Sequence, residues 1–86
     1  MEKTITFTHH AEFKLLLLGK HGFKLSRQGV REVLRDPIRI RPGYAGRKIA
    51  ERQISAEHLL RVVFEESASE VKVITIYPAR RGRYES

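Results

Sequence analysis

The chain contains no cysteine and no tryptophan, and only three prolines and one methionine among its 86 residues. Without cysteine there are no disulfide staples and no thiolate metal ligands, so the fold must be held by packing, and a reducing cytoplasmic setting is expected. Long apolar runs are missing too. The longest, Leu15 to Leu18, covers four residues, whereas a membrane helix needs roughly 20. The opening Met1-Glu2-Lys3-Thr4-Ile5 lacks an apolar segment followed by a small-residue cleavage site, so no secretory leader is expected. No repeat, low-complexity tract or Pro/Gly-rich linker divides the chain, which predicts one domain over residues 1–86, near the lower size limit for folding unaided.

Several chemistries are also missing. His9 and His10 are adjacent and cannot both reach one metal from a helix, and no second paired cluster follows, so no metal is expected. Gly43 and Gly46 flank Tyr44 as a turn would, with no phosphate-cradling loop. No Ser/His/Asp spacing or paired-carboxylate pattern is present, and no cofactor is expected.

What the chain does have is positive charge. Seventeen Lys and Arg against ten Asp and Glu give a net charge of +7 and a pI near 10.3. Such an excess on a small domain raises the local concentration of anions, nucleic acid above all. From Pro37 onward there are ten basic and six acidic residues, and three of those acids, Glu65, Glu66 and Glu70, share one short turn-like segment. The positive field therefore belongs to the C-terminal half.

The periodicities predict a β-α-α-β-β-β-β order. Thr4-Ile5-Thr6-Phe7-Thr8 alternates as a strand. His9 to Lys20 reads as a helix capped by Thr8, with Phe13, Leu16 and Leu17 on its buried face beside Ala11, Leu15 and Leu18, and with Gly19 or Gly22 ending it. Ser26 caps a second helix with Val30, Val33 and Leu34 inward, closed at Asp36-Pro37. Strands follow over 38–41, 48–54, 59–65 and 71–77, with a hairpin at 66–69 and Pro78 ending the last strand. The fold class is α+β: a mainly antiparallel sheet with both helices on one face and the other face open.

On that open face a basic cluster is expected. Lys48 and Arg52 are four apart on one strand and share a side. Arg61 stands inside the apolar Leu60-Arg61-Val62-Val63-Phe64, and Arg80 and Arg81 close the last strand. Tyr77 and Tyr84 offer rings on which bases stack, and Arg83 adds a cation in the tail. Taken singly, each of these basic residues reads as an ordinary solvated strand charge; as a cluster they read as a polyanion site. His10, whose unperturbed imidazole titrates near 6.5, is a candidate for proton transfer, against a purely structural place in the first helical turn.

Together the Leu60–Phe64 strand, the short acidic hairpin and a β-rich strand ending in basic residues with a tyrosine beyond resemble the RelE/ParE superfamily of toxins. The Thr8-x-His10-Ala11 opening and the Val73-to-Arg81 ending are similar to a domain-of-unknown-function family allied to those toxins. The resemblance implies a RelE-like fold and a toxin of a toxin–antitoxin pair that cleaves messenger RNA in the ribosome without a metal, silenced by a separate antitoxin chain. It places catalytic roles on Arg61, on Arg80 or Arg81 and on Tyr84, and puts RNA-binding on Lys48 and Arg52. Arginines suit stabilisation of a phosphorane as planar donors, but with a pKa above about 12 they are poor proton carriers. Tyr84 or Lys48 would serve as base only beside cations that lower its pKa. Two other functions stay open at this point: a non-catalytic nucleic-acid- or ribosome-binding module, and a basic groove for an acidic partner protein.

Overall fold

The computed structural model describes residues 3–80. Its elements are β1 (Thr4–Phe7), α1 (His9–Lys20), α2 (Arg27–Arg35), β2 (Arg39–Pro42), a 3-10 turn at Tyr44–Gly46, β3 (Lys48–Gln53), β4 (His58–Glu66) and β5 (Glu70–Arg80). The α+β order expected from the sequence is the order observed. The strands form one sheet, β1-β5-β4-β3-β2. Its contacts are antiparallel except at one edge, where β1 runs parallel to β5, as the intervening helices allow. No helix among the described residues is long and apolar enough to cross a membrane.

Local chemistry sets the helix ends. The Thr8 side chain accepts from the Ala11 N–H at 3.1 Å, and Ser26 accepts from Gly29 at the same distance. Each satisfies one of the amides that a helix start leaves unbonded. Gly22, at φ 92°, takes the left-handed conformation just beyond α1.

Both helices cover one face. Ala11 and Leu18 of α1 and Val30 and Val33 of α2 are buried against Ala50, Leu60, Val62, Phe64, Val73 and Ile76 of the sheet. On α1 the inward stripe is Ala11, Leu15 and Leu18, spaced i, i+4, i+7, and not the expected Phe13–Leu16–Leu17 set. Phe13 and Leu16 are 57% and 70% exposed. Apolar side chains occur on every side of this helix, with His9, His10, Glu12, Lys14 and Lys20 between them, so its sequence does not say which stripe faces the sheet.

Pro78 does not end the last strand, which runs on to Arg80. The physical reason is the length of β1, which pairs only with Glu70–Val73. At Pro78, β5 has β4 on one side and no described strand on the other, so a missing N–H breaks no ladder there.

The β2–β3 connection is tight. Gly43 donates its N–H to the Arg47 carbonyl at 2.6 Å, and a Cβ on Gly43 would sit 3.1 Å from that oxygen. Gly43→Ala is expected to destabilise the fold by about 1–2 kcal/mol through this clash, measurable as a lower urea midpoint with an unchanged slope.

Candidate nucleic-acid interface

Strand register decides which cations meet. On β3, Lys48, Ala50 and Arg52 lie opposite Phe64, Val62 and Leu60 of β4. Those β4 residues are core, so Lys48 and Arg52 project to the helix side. Their neighbours Ile49, Glu51 and Gln53 project to the open side, with Arg61 opposite Glu51. Continuing outward, Glu51 faces Arg39 on β2, and Arg61 faces Tyr77 on β5. One row, Arg39–Glu51–Arg61–Tyr77, therefore crosses four strands on the face that the helices leave uncovered.

Glu51 organises this row. Its side chain is only 3% exposed. Arg41 Nε lies 2.8 Å from Glu51 Oε1, and Arg61 Nε lies 2.9 Å from Oε2, the latter as an ion pair without hydrogen-bond alignment. A desolvated carboxylate needs such partners. Arg61, 13% exposed at its side chain, also lies over the Tyr77 ring, with its guanidinium carbon 5.4 Å from the centroid. A cation at that distance is attracted by the ring quadrupole. Carboxylate on one side and ring on the other fix the guanidinium plane. With Arg39 included, three guanidiniums surround the Glu51 carboxylate; Glu65, Glu70 and Lys72 share the face farther along β4 and β5.

The other expected site residues lie elsewhere. Lys48 donates to Glu66 at 2.9 Å, and Arg52 donates to the Asp36 carbonyl at 3.2 Å and lies 3.3 Å from its carboxylate. Arg80 is in register with His58, which packs edge-on against Phe23 of the helix layer. It therefore shares the helix side, where it faces Glu57 at 3.7 Å. His10 is exposed in the first turn of α1, also in the helix layer. The expected convergence of Lys48, Arg52, Arg61 and Arg80 on one surface does not occur. Arg61 and Tyr77 do meet. Arg81, Arg83 and Tyr84 lie outside the described residues.

Glu51, Arg39 and Arg41 were missed as site residues. Their signal was present in the alternation Arg39-Ile40-Arg41, which puts both arginines on one side of a strand. Among the described residues no three metal-ligating side chains cluster.

A second charged cluster ties the sheet together at its far end. Glu66 pairs with Lys3 at 2.8 Å and with Lys48 at 2.9 Å. Hydrogen bonds from Lys3, then from Lys48, hold its carboxyl down to about 2. Its folded pKa is thus depressed, so this contribution to stability is complete above the ordinary carboxylate value of 4.5 and is lost as pH falls from there towards 2. Lys3→Met is expected to flatten that limb of a stability–pH profile. The pairs are partly solvated, so added salt should shrink the difference.

Comparison with protein-family models, curated proteins and solved structures finds no match.

Proposed function

We propose that this protein is a RelE-like toxin that holds RNA on the open face of its sheet, around Arg61, and cleaves it without a metal. The carrying observation is the row of guanidiniums on the uncovered face, with Arg61 fixed between the buried Glu51 carboxylate and the Tyr77 ring. A planar donor locked in one orientation suits a phosphate whose charge grows in the transition state, because no reorganisation is needed at that moment. The neighbouring aromatic ring suits a splayed base. In this reading the bound strand is messenger RNA, on the ribosome or free, and a separate antitoxin chain restrains the activity.

Binding without cleavage is the second reading, and one observation favours it. Lys48 and His10, two of the residues expected to move protons, belong to the helix side, so among the described residues Tyr77 is the titratable phenol beside Arg61. Cleavage needs a base for the 2′-hydroxyl and an acid for the 5′-oxygen.

Induced expression paired with an RNA cleavage assay in EDTA tests the reading. Wild type should slow growth and cut RNA with the chelator present, and Arg61→Lys, which keeps the charge but loses the planar fork, should abolish cutting while remaining folded. Normal growth together with intact RNA would reject the nuclease and leave the binder.

A further inference from the structure

The surface along β2 is distinct from the centre of the open face and carries its own chemistry. β2 is an edge of the sheet and, among the described residues, pairs only with β3. Such an edge presents backbone donors and acceptors that another extended chain can pair with. Its two faces differ sharply. Ile40, in register with the core residue Ala50 and so on the helix side, is 53% exposed, and Ile38, in the bend just before β2, is 63% exposed; α2 packs mainly over β3 and β4. Arg39 and Arg41 point to the opposite side, in register with Glu51 and Ile49. Two open depressions, of about 400 and 320 Å³, flank the exposed isoleucines: Ile38 borders one with the Arg52–Asp36 pair, and Ile40 borders the other with Arg41, Arg47 and Lys48. Residues 35–52 contain six basic side chains and two acidic ones.

We infer that β2 receives an extended segment of another polypeptide in which acidic and aliphatic residues alternate, added to the sheet as a sixth strand. The period of two supplies the match. A strand laid beside β2 places one side chain next to Ile40 and those on either side of it next to Arg39 and Arg41. An aliphatic residue at the first position and carboxylates at the other two satisfy both faces at once. RNA fits this edge poorly, since exposed isoleucine offers a nucleotide neither stacking nor hydrogen bonds. A second copy of this chain fits poorly too, because pairing β2 with itself sets Arg39 and Arg41 against their own kind, which is destabilising directly across strands. Ile38 already donates its N–H to the Glu51 carbonyl and Pro42 has none, so pairing along this edge centres on Ile40, whose N–H faces outward in this register.

The test uses the full chain and a synthetic peptide of about ten residues alternating Glu with Val, alongside a control in which every Glu is replaced by Lys. Amide chemical shifts and fluorescence anisotropy are followed, with the peptide kept below the concentration at which it self-associates. The Glu peptide should bind with shifts centred on 38–41, and Ile40→Ser should weaken it at least about tenfold while leaving the melting profile in place. RNA affinity should be unchanged in Ile40→Ser, and peptide affinity should be unchanged in Tyr77→Ala, so failure of this inference and failure of the RNA reading are separable. Equal binding of the Lys peptide, shifts confined to other strands, or an Ile40→Ser affinity within about twofold of wild type would overturn the inference. So would a dimer, seen by sedimentation, that Ile40→Ser dissolves.

Discussion

Arg61→Ala is expected to unfold at a urea midpoint well below wild type, with a loss of about 3 kcal/mol, because the change strands Glu51 in the sheet with half its compensation. Removing one member of a buried ion pair typically costs about 3–5 kcal/mol; the lower end applies because Arg41 stays on the other carboxylate oxygen. For a domain of this size such a loss corresponds to roughly 12–24 °C in melting temperature. The origin of the effect can be separated from simple loss of packing. A double change, Glu51→Leu with Arg61→Met, removes the charge and its partner together and should recover most of the loss, since well-packed apolar replacements of buried pairs are often neutral or better. Arg41, 30% exposed, can then turn to water. If the double variant is no more stable than Arg61→Ala, the buried carboxylate is not what makes Arg61 matter to the fold.

Short single-stranded RNA should bind the wild-type protein with an affinity that falls as salt rises, with a log–log slope of about −2, as three phosphate contacts on the open face would give. Tyr77→Ala should weaken binding roughly 5- to 100-fold, which is the range for loss of one stacked base. Its salt slope should not change, because no charge is removed. Arg39→Ala should do the reverse, with a modest loss of affinity and a slope shallower by about 0.7. Lys48→Ala and Arg52→Ala, on the far side of the sheet, should stay within about twofold of wild type. Filter binding or anisotropy at several salt concentrations reads all four. A uniform loss across the set would point to diffuse attraction by the net charge of +7 and not to a located site.

The sequence carried the elements further than it carried the faces. Thr8 and Ser26 announced their helices through side-chain capping, and both caps are present. The 66–69 hairpin was legible from the acidic, small-residue break between two apolar strands, and Ser67 closes it by donating its N–H to the Glu70 carbonyl. Which way β3 faces was not legible. Lys48-Ile49-Ala50-Glu51-Arg52-Gln53 has one small apolar residue on one face and one large one on the other, so alternation alone cannot choose between them. The choice is made by pairing with β4, whose Leu60, Val62 and Phe64 must enter the core and carry Ala50 with them. Once that register is set, Lys48 and Arg52 go with the helices, and Glu51 takes the place beside Arg61. Arg80 follows the same logic through Pro78 and Ile76 of its own strand. Arg61 could be singled out from sequence because it interrupts an apolar run; the buried acid that holds it could not, since an isolated Glu in a basic strand reads as a surface charge.

The central claim is that the Arg39–Glu51–Arg61–Tyr77 row is where an anionic strand sits. Titrating the isotope-labelled protein with a short unstructured RNA and following amide, guanidinium and tyrosine-ring resonances tests it most directly. The account predicts that the largest changes fall on Arg39, Arg61 and Tyr77, with Lys48, Arg52 and His58 nearly still. Changes centred on Lys48, Arg52 and Arg80 instead, or no changes at RNA concentrations that saturate binding in the anisotropy assay, would contradict it.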